Sequence, residues 1–106
     1  MELSNIAKKN DLFRTTMTEC DWAKALITRS VSEHDDCTEI VEAVRNFNTF
    51  NEDNDPDGEH DWGSFVVNGT TYNWKFDYYN KAMDSWGDPE GDDSMRVLTI
   101  MSLLDA

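Results

Sequence analysis

An acidic segment in the second half of the chain has the residue types of a cation site. It places carboxylates at alternate positions, Asp53, Asp55 and Asp57, and Gly58 follows them. This is the opening pattern of an EF-hand calcium loop, which needs a bidentate carboxylate at its twelfth position. That position holds Ser64, so the pattern is incomplete and predicts a solvated acidic loop with no metal and no other cofactor.

The adjoining residues Glu59, His60 and Asp61 suggest two further kinds of chemistry. Their carboxylates are able to complete a weak, irregular calcium site, and an imidazole beside a carboxylate is typical of hydrolases. A hydrolase also needs an activated nucleophile, and neither Cys20 nor Cys37 has the basic setting that activates a thiol. We therefore predict a protein that is not an enzyme. A small metal-dependent or His–carboxylate enzyme using this region is one alternative, and a non-catalytic regulatory module is another.

Negative charge dominates the composition. The 106 residues include 22 acidic and 9 basic ones, which gives a formal net charge of −13, and most of the acids lie in the second half. Nucleic acids and anionic lipids are bound by clustered Lys and Arg, so we expect neither as a partner. No apolar run approaches the roughly 20 residues that span a bilayer, and the first ten residues are mostly polar where a signal peptide would have its apolar region. We expect a cytoplasmic protein whose charged partners are basic.

The density of charge resembles that of a nucleic acid. Duplex DNA carries one charge per ~1.7 Å of its axis, so a length matching a domain of this size bears a similar number of charges. Carboxylates that stand in for phosphates would compete for a basic groove, and an exposed tryptophan would anchor the complex. We predict a partner-binding surface made of the acids in two loops and one tryptophan: Asp53, Asp55, Asp57, Glu59, Asp61, Trp86, Asp88, Glu90, Asp92 and Asp93.

The first half of the chain predicts two helices and a short strand. Ser4 is a candidate cap for the first helix, whose apolar residues include Leu12 and Phe13. Residues 23–31 are compatible with a short strand. A capping box over residues 32–35 predicts the start of the second helix, which we expect to end near Phe50, where Asn, Asp, Pro and Gly become frequent.

The second half predicts a hairpin and a final strand. The Asn68-Gly69 pair between β-forming residues is typical of a two-residue turn, which sets Gly63 opposite Trp74. Residues 95–101 are apolar on both alternations, as expected of an inner strand, although a helix is the competing interpretation. Residues 1–106 therefore form one acidic α+β domain, with a small, mostly antiparallel sheet of about four strands and two helices. One face of the hairpin strands should join the core: Phe65, Val67, Tyr72, Trp74, Phe76 and Tyr78.

Three stretches of the chain have distinctive sequences. Residues 54–63 read N-D-P-D-G-E-H-D-W-G, residues 74–79 read W-K-F-D-Y-Y, and residues 96–101 read R-V-L-T-I-M. In that order they resemble an uncharacterised bacterial family of domains of unknown function, number 3768, whose members read N-D-P-x-G-E-H-D-x-G, W-K-x-D-Y-Y and R-V-L-T-I-M. The likeness also includes three polar residues near the start of the chain: Asn10, Asp11 and Arg14.

The resemblance implies a small bacterial protein of a kind that is often found on accessory replicons. Short acidic proteins of such origin are similar in style to the inhibitors with which mobile elements block host nucleases. We therefore expect an inhibitor of a nucleic-acid-processing defence complex, of the anti-CRISPR or anti-restriction type. Its partner would be the basic surface of a nuclease or of a CRISPR-Cas subunit.

Overall fold

The computed structural model describes residues 3–91 and 93–105, which form three helices, four strands and a final turn of 3-10 helix. The sheet has the strand order β1-β4-β3-β2, in which β1 is parallel to β4 and the other neighbours are antiparallel. This confirms the predicted α+β class and the small, mostly antiparallel sheet. In chain order the elements are α1 (Asn5–Thr16), β1 (Ala23–Ile27), α2 (Arg29–Ser32), α3 (Cys37–Arg45), β2 (Trp62–Val67), β3 (Thr70–Asn80), β4 (Ser94–Ser102) and the 3-10 helix (Leu103–Asp105).

The β2–β3 hairpin has the predicted turn and register. Asn68 and Gly69 have φ angles of 48° and 82°, the left-handed conformation that a two-residue hairpin turn requires. Gly63 lies opposite Trp74, and the indole crosses the glycine backbone. All six side chains of the predicted hairpin face belong to the core or pack against it.

Strand β4 lies inside the sheet, between β1 and β3, as predicted. Its side chains are buried on both faces of the sheet, with Leu98 and Ile100 on one face and Val97 and Met101 on the other. Residues from all three helices join the first of these faces in a single hydrophobic core. The helices therefore cover one side of the sheet.

The strand predicted over residues 23–31 ends at Ile27, because Arg29–Ser32 form the short helix α2. Two predictions about the helix that follows, α3, are also wrong. Ser32 does not cap α3. It is the last residue of the short helix α2, and its hydroxyl donates to the carbonyl of Arg29, the first residue of α2. Helix α3 begins only at Cys37 and ends at Arg45 instead of near Phe50. Beyond that point Phe47 leaves the helix, and its ring packs edge-on against Trp74 with 5.5 Å between centroids.

Helix α1 begins after the predicted cap and buries Phe13 of the predicted apolar stripe, but its buried face also includes polar residues. Ser4 Oγ accepts a hydrogen bond from the backbone N–H of Ala7, as an N-cap residue does. Leu12, which lies beside the apolar stripe, is 59% exposed, whereas the polar residues Asn10 and Arg14 are buried. The inward face of α1 is therefore partly polar.

We predict that Gly63→Ala destabilises the fold by about 1–3 kcal/mol, because the added methyl group overpacks the core. An ideal Cβ on Gly63 would lie 2.7 Å from Trp74 Cε2 and 2.9 Å from Phe47 Cζ. Urea denaturation measures the change in the free energy of unfolding. Ser64→Ala, at the exposed neighbouring position, is the control and should have little effect. Equal stability of both variants would show that no close contact exists at Gly63.

Candidate functional site

Asn10, buried on the inward face of α1, contacts three distant parts of the chain. Its Nδ2 donates hydrogen bonds to the carbonyl oxygen of Glu59 at 3.1 Å and to the hydroxyl of Tyr78 at 2.9 Å. Its Oδ1 accepts a hydrogen bond of 2.7 Å from Arg96 Nε, and Arg96 Nη2 donates to the carbonyl oxygen of Pro89 at 2.8 Å. These bonds join residues 51–61, the first acidic loop, to residues 84–93, the second acidic loop.

Arg96 and Tyr78 give this connection a buried, aromatic setting. Arg96 is 1% exposed, and its guanidinium lies 5.8 Å from the ring centroid of Trp22 and 5.3 Å from that of Tyr78. Burial lowers the pKa of Arg96, although an arginine retains its charge in proteins. Burial also raises the pKa of Tyr78 to about 12, so its hydroxyl keeps its proton at neutral pH.

Strand β3 also places the two acidic loops side by side. Beyond the end of β2, the backbone N–H of Phe76 donates to the carbonyl of Asp61 at 2.9 Å. Two residues further along the same edge, the carbonyl of Tyr78 accepts from the N–H of Gly87 at 3.3 Å. Trp86, next to Gly87, is 71% exposed, as the sequence predicts. One residue of each acidic loop, Asp61 and Gly87, is therefore bonded to the same edge of β3, at positions two residues apart.

The predicted partner-binding residues differ in exposure. Asp53, Asp57, Trp86, Asp88, Glu90 and Asp93 are exposed, while Asp55, Glu59 and Asp61 are partly buried. Asp92 lies outside the described residues. The carboxylate of Asp55 is 5% exposed, and its Oδ1 accepts from the backbone N–H groups of Glu59 and His60. Asp55 thus shapes the first acidic loop, as expected of a carboxylate at this junction.

His60 joins the first acidic loop to α1. Its Nδ1 lies 2.9 Å from Asp11 Oδ2, its Nε2 lies 3.6 Å from Asp55 Oδ2, and its ring stacks on Phe50 at 3.8 Å. The backbone φ of His60 is 52°, a conformation that few residues other than glycine adopt. Its carboxylate neighbours are therefore Asp11 and Asp55, not the adjacent Glu59 and Asp61 of the alternative enzyme hypothesis. Because both ring nitrogens face carboxylates, little of the imidazole is accessible to a substrate.

Arg14 connects the same region to α3. Its Nη2 lies 3.1 Å from Asp11 Oδ1, and its Nη1 donates a 2.7 Å hydrogen bond to the carbonyl of Val44 in the last turn of α3. The guanidinium also lies over the rings of Trp74 and Phe50, 5.0 and 5.5 Å from their centroids. A positive charge at a helix C-terminus is favoured by the helix dipole. Asp11 is thus shared by Arg14 and His60.

The carboxylates of the two loops repel each other. Burial raises the pKa of Glu59, and the negative charges of Asp61, Asp57, Asp55 and Glu90 raise it further. Because Glu90 belongs to the second acidic loop, the two loops share one electrostatic field. Burial likewise raises the pKa of Asp61, although a backbone hydrogen bond and His60 oppose the change.

The described residues contain neither a metal-binding group of side chains nor a membrane-spanning helix. Across residues 3–91 and 93–105, no three His, Cys, Asp or Glu side chains are grouped so that they could hold a metal ion. Within the same ranges, no helix has the length and apolar character needed to cross a bilayer.

The partner-binding surface predicted from the sequence did not include the polar residues that connect α1, the acidic loops and the sheet. They are Asn10, Asp11, Arg14 and Arg96. Asn10 and Asp11 contact residues at least 49 positions away, a separation that no local pattern reveals. A signal was nevertheless present, because Asn10 and Arg14 lie four positions apart on one helix face and Arg96 interrupts an apolar strand. All of them lie in the stretches on which the family resemblance rests.

A family model described as Protein of unknown function (DUF3768) matches residues 26–105. The chain belongs to the DUF3768 family. The part that matches the DUF3768 model includes both acidic loops, Tyr78 and Arg96, whereas α1 with Asn10 precedes it. Neither a curated protein nor a solved structure matches this DUF3768 chain significantly.

We predict that Asn10→Ala lowers the free energy of unfolding by about 2–4 kcal/mol, because it removes the hydrogen-bond partner of the buried Arg96 Nε and of the carbonyl of Glu59. Urea denaturation checks this value. Hydrogen exchange should also become faster in both acidic loops, which Asn10 connects. Leu12→Ala, at an exposed position of the same helix, is the control and should change stability by less than about 0.5 kcal/mol. Faster exchange in only one loop would contradict the connection.

We predict that Glu59→Gln raises the melting temperature at neutral pH. A raised carboxyl pKa means that the folded state holds the proton more tightly than the unfolded chain does. Ionisation of Glu59 therefore lowers stability above its raised pKa, and this penalty is absent below the ordinary value of 4.5. The difference between variant and parent should disappear as the pH falls below that value. Glu39→Gln, an exposed substitution in α3, is the control; a Glu59→Gln melting temperature no higher than the parent's would refute the prediction.

Proposed function

We propose that this protein binds a basic protein partner through the surface formed by its two acidic loops. As an inhibitor carried by a mobile element and acting in the cytoplasm, it would block a nucleic-acid-processing defence complex of the anti-CRISPR or anti-restriction type. The observation that carries the proposal is the buried Asn10–Arg96 connection. It connects the first acidic loop at Glu59 to the second at Pro89, and both loops carry exposed acids.

The arrangement suits fast and lasting association. Clustered charge steers an oppositely charged partner toward the surface and raises the association rate. An exposed tryptophan that becomes buried in a complex slows dissociation, because tryptophan is among the strongest contributors to interface energy. The exposed acids supply the first property, and the exposed Trp86 of the second acidic loop supplies the second.

The size of the domain fits a groove that binds duplex DNA. Its principal dimensions are 38 × 33 × 23 Å. At one charge per ~1.7 Å of axis, a DNA duplex 33 Å long, as long as the middle dimension of the domain, carries roughly 20 negative charges. The net charge of −13 is of the same order. A basic groove of a nuclease or of a CRISPR-Cas subunit is therefore the partner surface that we propose.

The alternative of a His–carboxylate enzyme has weaker geometric support. The imidazole of His60 is 13% exposed and lies between Asp11 and Asp55. A general base must reach the proton of a bound substrate, and both ring nitrogens of this imidazole already face carboxylates. His60 is better suited to holding the first acidic loop on α1 than to catalysis.

We predict that reversing three exposed acids of the loops, Asp53→Lys, Asp57→Lys and Glu90→Lys, lowers affinity for the partner at least tenfold. The partner is captured from lysate of the native host at low ionic strength and released at high ionic strength, because salt screens charge attraction. The captured protein is then purified. Its DNA cleavage, measured with and without each variant, is the readout that identifies inhibition.

The matched control is the triple reversal Glu33→Lys, Asp35→Lys and Glu39→Lys, which changes the net charge equally. These exposed residues lie in or near α2 and α3, which follow β1 at the carboxyl end of β4. The acidic loops are joined near the amino end of β4, where Arg96 binds Pro89. The control should retain capture and inhibition. Equal losses in the two variants, or a captured partner that neither binds nor cleaves nucleic acid, would reject the proposed function.

A further inference from the structure

An open groove of about 600 Å³ lies between the start of α1 and the first acidic loop. Its walls combine apolar and acidic side chains. The apolar residues are Leu3, Phe50 and Pro56, and the acidic ones are Glu52, Asp55 and Asp57. Among the described residues, no lysine or arginine lines this groove, and the imidazole of His60 at its edge already faces Asp11 and Asp55. In the described part of the groove, the carboxylates of Glu52 and Asp57 therefore have no ammonium or guanidinium group beside them.

The acids of the groove are not equally available. Asp55 is engaged by backbone N–H groups of its own loop. Glu52 and Asp57 are exposed, and neither side chain makes a hydrogen bond or ion pair within residues 3–91 and 93–105. Two carboxylates beside apolar walls are thus free to accept hydrogen bonds from a cation.

The groove is already formed without a partner. Asn51 Oδ1 accepts from the backbone N–H groups of Asp53 and Asn54, which closes a tight turn on one side. On the other side, Ser4 Oγ donates to the carbonyl of Gly58 at 3.3 Å, and His60 stacks on Phe50. A preformed site loses little conformational entropy when it is occupied.

We infer that this groove receives an arginine side chain of the protein partner. The inference rests on the proposed function, in which the partner surface is basic. A guanidinium donates in a planar fork that matches a carboxylate, and it is less strongly hydrated than an ammonium group. Its aliphatic stem packs on apolar surface such as Leu3 and Pro56 while the charged head reaches Glu52 or Asp57. Lysine offers a point charge and fits these walls less well.

Fluorescence anisotropy with a labelled hexa-arginine peptide tests the inference. The groove variant is Glu52→Gln with Asp57→Asn, and the matched control is Asp53→Asn with Glu90→Gln. The two variants have the same net charge, and all four positions are exposed residues of the acidic loops. We expect the groove variant to bind hexa-arginine at least fivefold more weakly than the parent and the control less than twofold more weakly. Labelled hexalysine should bind the parent several-fold more weakly than hexa-arginine.

The outcomes separate the groove from the wider acidic surface. Equal weakening in both variants, or equal binding of hexalysine and hexa-arginine, would show attraction by charge alone and would overturn the inference. The two variants are also compared in the capture experiment that tests the proposed function. Normal capture by the groove variant, together with loss of capture by the triple reversal, would reject the groove and leave the proposed function intact. Normal capture by both the groove variant and the triple reversal would reject the groove and the proposed function together.

Discussion

The hydrogen bond between Asn10 and Arg96 is the interaction on which the arrangement of this molecule depends. It connects the inward face of the first helix to the central strand, and both residues are almost completely buried. The remaining polar groups of the pair hold the carbonyls of Glu59 and Pro89, one in each acidic loop. Removing either side chain would leave a buried polar group without a partner, which costs far more than a surface contact.

The domain buries a second arginine in a related way. Arg14 donates to the end of α3 and shares Asp11 with His60. Helix α1 is therefore connected both to α3 and to the first acidic loop. Buried charges seldom add stability when compared with apolar residues of similar volume. Their value here is positional, because Arg14 and Arg96 each donate to acceptors on more than one part of the chain. The loops are thereby held by directional bonds where apolar packing alone would leave their position loosely determined.

This positioning works against electrostatic repulsion. Glu59 lies near acids of both loops, and the raised pKa values of Glu59 and Asp61 show that ionised carboxylates are unfavourable there. The fold tolerates that repulsion in its unbound state. A basic partner would relieve the repulsion on binding, so the same crowding that lowers the stability of the free domain would favour a complex.

Local patterns in the sequence were sufficient for much of the secondary structure and for the outward-facing chemistry. The Asn68-Gly69 turn and the proximity of Gly63 to Trp74 depend on neighbouring residues and a period of two, so they were predictable. The ends of α3 were not, because Ser32 had a closer acceptor in α2 and Phe47 gained more by packing on Trp74 than by extending the helix. The exposure of Trp86 followed from its acidic surroundings.

The sequence by itself therefore determined an acidic α+β domain with two charged loops. Only the tertiary structure decided that these loops are joined through Asn10 and Arg96 and that His60 meets Asp11 and Asp55. Both results depend on contacts between residues far apart in the chain, such as Asn10 with Arg96. Such contacts exist only after the core has closed, since hydrophobic periodicity specifies which face of an element is buried but not which polar group will oppose another inside it.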